Sequence, residues 1–241
     1  MRIAGHEAFV SAIIPCLDEE VAIGRLVSDL LRIGLDEAIV VDGGSRDATV
    51  VLARAAGARV VVEPRRGYGR ACAAGVAAVS ARCRIIAFID GDGSDDPAFA
   101  PAIVGPVLGD EVDFCMGSRL RGRREHGSLT PQQIVAGRLA GFLLGAFYGV
   151  RFTDMSPFRA IDRDCLASLR MTEATYGWNL EMQMRGAARG LRIREIAVDC
   201  RARAGGVSKV SGNLRATLPA AWTLARTFVR LAASLRGAPV S

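Results

Sequence analysis

The 241 residues carry 31 basic and 25 acidic side chains, a net charge of +6, and half of them are hydrophobic. That balance of charge and periodic apolar segments excludes wholesale disorder, and the length suits one α/β domain. The positive excess points to an anionic partner, yet only 6% of residues are aromatic, and no aromatic–basic stacking platform supports nucleic acid.

In chain order, Phe9–Pro15 reads as an apolar strand and Glu19–Ile33 as a helix. Glu37–Asp42 is a second strand, Asp47–Ala56 a helix, Ala58–Glu63 a third strand and the Ala-rich Gly69–Ala81 a helix. Arg84–Asp90, the helix Pro97–Leu108 and the strand Val112–Gly117 complete the first half. Short continuous apolar strands separated by helices predict a parallel sheet covered on both faces.

After Ser118 the pattern changes. A basic loop precedes a Gly-interrupted apolar helix, Ile134–Val150, and Thr153–Arg159 reads as a turn. Helices follow at Arg163–Leu169 and Trp178–Arg189, then an alternating strand, Leu191–Val198, and a Gly/Ser loop, Ala204–Gly212. Leu214–Arg236 is predicted helical, with Leu214, Leu218, Trp222, Ala225 and Val229 on one stripe flanked by Arg215, Arg226, Arg230 and Arg236. The expected division is a catalytic domain over 1–212 and a helical extension over 213–241.

None of the six cysteines forms a C-x-x-C pair and the two histidines lie far from them, which argues against zinc. They read as small core residues in a reducing compartment. The first residues, MRIAGHEAFV, lack the apolar core of a signal peptide. The longest uncharged apolar stretch, Leu139–Val150, has 12 residues, too few to span a bilayer. The expected location is the cytoplasm.

In open parallel sheets, ligands gather beyond the carboxyl ends of the strands. The polar clusters there are Asp18–Glu20, Asp42–Asp47, Arg65–Arg70 and Asp90–Asp96. Asp90-Gly-Asp92 concentrates carboxylates that repel unless a cation sits between them, and hard oxygen ligands suit Mg²⁺ or Mn²⁺. Asp95 or Asp96 can also cap the helix that follows. Asp42 is placed for a base or a ribose hydroxyl, while Ser45 or Asp47 can cap the next helix. Arg65, Gly67 and Arg70 surround a helix start that attracts a diphosphate. A plain turn is the alternative, with Gly69–Gly75 serving close helix–sheet packing instead.

The series IIPCLDEE, VVDGGSRDAT, RRGYGRACAAG, FIDGDGSDDP and CMGSR closely resembles the family 2 nucleotide-sugar glycosyltransferases of GT-A fold. Gly117-Ser-Arg119, Asp154-Met-Ser-Pro-Phe-Arg159, Glu181-Met182 and Val207-Ser-Lys209 narrow the resemblance to the dolichol-phosphate mannose synthase branch and its polyprenyl-phosphate relatives. The resemblance implies an α/β fold with a mostly parallel central sheet flanked by helices and a C-terminal amphipathic helix.

It implies that Pro15, Glu19 and Asp42 line a nucleoside pocket, and that Asp90 and Asp92 hold the metal and the sugar diphosphate. Arg119 and Arg159 would contact phosphates, Lys209 would cover the diphosphate, and Asp154 and Glu181 would shape the sugar or acceptor end. Three positions depart from the family pattern. Gly43 stands where a second Asp is usual, Ser94 where Gln is frequent, and Pro157 where Gly is expected.

The implied reaction is inverting, metal-dependent transfer of a hexose from UDP-glucose or GDP-mannose to a polyprenyl phosphate. A soluble or saccharide hydroxyl acceptor is the first alternative, and a non-catalytic basic peripheral-membrane protein the second. Helices Ile134–Val150 and Leu214–Arg236 would meet an anionic membrane surface, or else pack on the sheet or form a homodimer seam.

Overall fold

In the computed structural model, residues 1–3, 5–205 and 214–235 are described, the side chains of 214–224 excepted. A short hairpin, β1 (Arg2–Ile3) and β2 (His6–Glu7), precedes the main sheet. Then follow β3 (Phe9–Cys16), α1 (Ile23–Ile33), β4 (Glu37–Asp42), α2 (Thr49–Ala55), β5 (Arg59–Val62), α3 (Tyr68–Ala78) and β6 (Cys83–Phe88). A 3-10 turn at Pro97–Phe99 leads into α4 (Ala100–Leu108) and β7 (Phe114–Ser118). The second half contributes α5 (Pro131–Tyr148), β8 (Arg159–Asp162), α6 (Arg163–Leu169), α7 (Trp178–Ala188), β9 (Ile193–Ala197) and α8 (Leu214–Leu235).

The seven strands run in the order β5-β4-β3-β6-β8-β7-β9. The predicted parallel sheet therefore has one exception. β8 lies antiparallel between β6 and β7, with Phe88 and Met116 both opposite Arg159. The expected turn ends one residue earlier, and this four-residue strand was not foreseen. Its sequence, Arg-Ala-Ile-Asp, is too short and too charged at its ends to read as a central strand. It becomes one because both neighbours offer unpaired backbone.

Period-two alternation sends successive residues to opposite faces. Val10, Ala12 and Ile14 pack with Leu26, Leu30, Ile103 and Val104 of α1 and α4. Ile13, Ile39, Ile86 and Phe114 pack with Cys72, Leu144, Trp178 and Met182 of α3, α5 and α7. α3 can lie that close because of Gly75: a Cβ there would meet Ile13 Cγ2 at 2.4 Å. Five of the six cysteines are buried, Cys165 is half-buried, and none is joined in a disulfide among the described residues.

Several predicted helix starts shift for local reasons, among them α5, which opens at Pro131 behind a Thr130–Gln133 capping box and not at Ile134. α1 begins at Ile23, because the backbone at 18–20 is tied to the loop after β4. The predicted Pro97–Leu108 helix opens as a 3-10 turn capped by Asp96, whose side chain accepts from Ala98 N at 3.0 Å. On α8, Ala225 and Val229 of the predicted stripe are exposed, while Thr227 and Leu231 are buried against α7 and its surroundings. Three residues intervene between 227 and 231, so the packed face is rotated from the predicted one. The side chains of Leu214, Arg215, Leu218, Trp222 and Arg236 lie outside the described residues.

Candidate active site

The carboxyl ends of β3, β4, β6 and β7 and the start of β8 share one edge of the sheet. Cys16 stands opposite Asp42, and Ile89 and Gly91 donate their N–H groups to Ile13 O and Pro15 O. Gly91 is needed there, since a Cβ would approach Cys16 Cβ to 2.8 Å. The register therefore brings Pro15, Glu19, Asp42, Asp90 and Asp92 together.

The loops after β3 and β4 brace each other. Asp18 N donates to Ser45 Oγ at 2.8 Å, Arg46 N to Asp18 Oδ1 at 2.8 Å, and Ala48 N to Glu20 Oε2 at 2.9 Å. Glu19 N donates to Thr49 Oγ1 at 2.8 Å. Asp42, 3% exposed, accepts from Gly44 N and Ser45 N at 3.0 and 3.1 Å. Asp47 accepts from Thr49 N at 3.0 Å. Much of the acidity read along this edge thus fixes the shape of two loops, leaving Glu19 turned inward.

Asp90 is desolvated and faces Asp92 and Asp95, so its carboxyl is pushed up to about 8. Its Oδ1 has no hydrogen-bond partner among the described residues. Asp92 Oδ1 accepts from Ser94 N at 2.9 Å, and Asp92 Oδ2 accepts from Arg203 Nη1 at 3.0 Å. Arg203 Nη2 also pairs with Glu19 Oε1. Among the described residues no group of three His, Cys, Asp or Glu side chains is arranged to hold a metal. The orphaned Asp90 oxygen beside a carboxylate that already binds a cationic group fits a hard divalent ion. That ion would complete its shell from phosphate oxygens and water.

Of the two expected candidates for the helix cap, Asp95 and Asp96, Asp96 fills the role. Asp95 is 2% exposed with both carboxylate oxygens unpartnered among the described residues. Burial pushes it up to about 7, Arg119 opposing and Asp92 adding to the shift.

At the end of β7, Arg119 donates through Nε and Nη2 to Asp154 Oδ2 and Oδ1 at 2.8 and 2.9 Å, and its backbone N–H reaches Oδ2 at 3.0 Å. Burial opposes charge on both groups. Their mutual attraction wins, holding Asp154 below and Arg119 above the ordinary range. Behind them, Glu195 on β9 accepts from Thr153 N, Thr153 Oγ1 and Asp154 N at 2.9, 2.7 and 3.1 Å.

Arg159 is wholly buried. It donates to Asn179 O at 3.2 Å and to Ser156 O, and lies 5.8 Å from the Phe114 ring centroid. Desolvation lowers it to about 10. Glu181 is also fully buried, accepting from Thr172 N, Thr172 Oγ1, Glu173 N and Arg185 Nε at 2.9, 2.8, 2.6 and 2.8 Å. Arg159 lies within electrostatic reach of Asp90 and Asp154, whereas the partners of Glu181 belong to residues 172–185 and not to the acidic turn.

The Arg65–Arg70 loop reaches the acidic pair through Tyr68, which is buried beside Asp90, while its other groups bond within the protein. Arg65 bonds Glu63 through Nε and Nη2 at 2.8 and 2.7 Å. The first N–H groups of α3 serve the protein itself: Gly69 N donates to Thr175 O at 3.2 Å and Arg70 N to Ala174 O at 3.1 Å. A Cβ on Gly67 would come within 2.2 Å of Ala174 O, and one on Gly69 within 2.1 Å of Glu173 O. Lys209 lies outside the described residues.

Sequence reasoning missed Arg203, Glu195 and Thr153. Only the alternating arginines of Arg201-Ala-Arg203 offered a signal.

The comparisons with known proteins agree with this geometry. The chain is 37% identical over 210 residues to an uncharacterized glycosyltransferase of Mycobacterium tuberculosis, covering 87% of this chain and 93% of that one. It is 33% identical over 200 residues to a dolichyl-phosphate hexose transferase of Haloferax volcanii, covering 81% and 84%. Its fold is similar to the crystal structure of glucosyl-3-phosphoglycerate synthase from Mycobacterium tuberculosis in complex with Mn²⁺, UDP and glucosyl-3-phosphoglycerate. There the TM-score is 0.75 at 27% identity, with 95% of this chain and 81% of that chain covered. The family model for glycosyl transferase family 2 matches residues 11–169, and the chain is a member of that family, a glycosyltransferase of GT-A fold.

Proposed function

We propose that the protein transfers a hexose from a nucleotide diphosphate sugar to a polyprenyl phosphate, with inversion at the anomeric carbon and with a divalent cation at Asp90 and Asp92. The cation would neutralise charge on the departing nucleotide diphosphate. Pro15, Glu19 and Asp42 face the nucleoside, and Arg119 the phosphate-rich part of the crevice. Lys209 stays in the proposal on sequence grounds alone.

The observation that carries this reading is that Asp154 and Glu181, the carboxylates expected at the acceptor end, are both engaged and neither is available as a base. Asp154 is held ionised by Arg119, and Glu181 accepts four hydrogen bonds. A phosphate acceptor needs no strong base, since its second ionisation falls at a pKa of about 6; it needs positive groups that orient it. The similarity to the dolichyl-phosphate hexose transferase supports the same acceptor.

A lipid acceptor also suits the surface. Val135, Leu139 and Phe142 of α5 are 64%, 56% and 72% exposed. Exposed Arg138 stands among them, with exposed Val229 and Arg226 on α8. No helix among the described residues is long and apolar enough to cross a membrane. We therefore propose peripheral attachment to an anionic bilayer.

A hydroxyl acceptor is the second reading, favoured by Asp95. A buried, unpartnered carboxyl pushed up to about 7 has the properties of a general base. The fold likeness to glucosyl-3-phosphoglycerate synthase points the same way.

One assay separates them. Labelled UDP-glucose or GDP-mannose, Mn²⁺ or Mg²⁺ and a short polyprenyl phosphate should give an organic-extractable product that chelation abolishes. Product only with a soluble hydroxyl acceptor establishes the second reading, and undiminished turnover under chelation removes the cation from the mechanism.

A further inference from the structure

The segment that follows β9 lies along the acidic turn after β6. Arg201 N donates to Ser94 O at 2.9 Å and Ala204 N to Asp92 O at 3.2 Å, and Asp95 and Cys200 form an antiparallel bridge. Arg201 pairs with Asp96 at one end of this strap. At the other end, a Cβ on Gly205 would stand 3.0 Å from Val21 Cγ2, and one on Gly93 would stand 3.4 Å from Ala204 Cβ.

Arg203 is thereby inserted into the crevice. Its side chain is 22% exposed and donates to Asp92 Oδ2 at 3.0 Å, to Glu19 Oε1, and through Nε to Gly205 O at 2.9 Å. It joins the two sides of the donor site, 184 residues apart in sequence at Glu19 and 111 at Asp92. The acidic turn thus already has a positive partner supplied by the chain.

We propose that Arg203 is a resident counter-ion that competes with the divalent cation for Asp92 and links cation binding to nucleotide binding. This rests on the donor-site reading above. A cation bound to Asp92 Oδ2 stands within a few ångströms of the guanidinium on the same oxygen, and the two charges repel. Cation binding therefore costs the Arg203–Asp92 contact. A nucleotide diphosphate returns a partner to the displaced guanidinium, whose planar fork suits phosphate oxygens. Cation and nucleotide then bind cooperatively, each raising the other's affinity by the same factor.

The test is titration of Mn²⁺ into the full-length protein, followed by calorimetry and by the loss of free Mn²⁺ signal in electron paramagnetic resonance, with and without UDP or GDP. Without nucleotide, Arg203→Ala and Arg203→Gln should bind Mn²⁺ on the order of tenfold more tightly than wild type. The gain in Mn²⁺ affinity on adding nucleotide should shrink by a similar factor. Arg201→Ala, which removes only the pair with Asp96, should keep the wild-type Mn²⁺ affinity. Thermal melts of each variant confirm that folded protein is compared.

Equal or weaker Mn²⁺ binding by both Arg203 variants overturns the competition while leaving the donor site intact. Failure of wild type and variants alike to bind Mn²⁺, with either nucleotide present, overturns the donor-site reading together with it.

Discussion

Arg119 grips Asp154 at three points, two from the guanidinium and one from its own backbone N–H. Asp154 is in turn presented by Glu195, which accepts the Thr153 hydroxyl at 2.7 Å and the backbone N–H groups of Thr153 and of Asp154 itself. Removing one partner of a buried pair leaves the other charge uncompensated. Asp154→Ala should therefore cost about 3–5 kcal/mol in urea unfolding and reduce turnover. Arg119→Lys keeps the charge but loses the fork, and should depress turnover with a smaller stability loss. Full turnover in Arg119→Lys would show that the two-pronged geometry has no bearing on the reaction.

Asp95 sets a pH dependence. Its unfolded carboxyl ionises near the ordinary 3.8, whereas in the fold it holds its proton to about 7. Between those values unfolding releases a proton, so the stability contribution of Asp95 falls as pH rises and levels off above about 7. Asp95→Asn does not titrate. Its advantage over wild type, measured by urea unfolding without added metal or nucleotide, should grow from pH 4 to pH 7 by about 1–3 kcal/mol. A pH-independent difference would contradict the assignment.

The glycines at the start of α3 carry a different expectation. Gly69→Ala places a methyl group 2.1 Å from Glu173 O, so the helix end or the 173–175 loop must move. The expected loss is about 1–3 kcal/mol in the melting free energy. Since Glu173 also accepts from Thr227 and Arg230 of α8, at 3.0 and 2.7 Å, protease cleavage near α8 should quicken in the same variant. Unchanged stability would return these glycines to a ligand-binding role.

Exposed apolar side chains on α5 test the membrane proposal. Leu139→Glu with Phe142→Glu should abolish flotation with anionic vesicles at low salt, while the melting temperature stays within a degree or two of wild type. Flotation equal to that of wild type would rule out this face as the attachment surface.

Much of the framework could be read from residue order. Strands such as Glu37–Asp42 are continuous apolar runs whose buried character survives in any register, and α6 spans its predicted Arg163–Leu169. The acidic residues at the strand ends were legible because a parallel sheet gathers those ends at one edge.

What escaped depends on distant partners. β8 is a strand only between β6 and β7, and Arg203 gains its place only when the segment after β9 folds back over 92–96. The glycines near 67 resemble a phosphate cradle locally, yet their spacing answers to carbonyls more than 100 residues away. Asp95 and Asp96 are adjacent and chemically alike. Only the turn geometry sends one to cap a helix and the other inward.

The reversed direction of β8 has an evolutionary consequence. Its first residue arrives at the reactive edge from the opposite side, so the later part of the chain, from Arg119 to Glu195, furnishes a separate wall facing the ledge built by residues 9–96. On the proposed function, a lineage could change its recipient by reworking that wall while inheriting the ledge unchanged. Grafting the wall between relatives with unlike recipients is the engineering counterpart of that history.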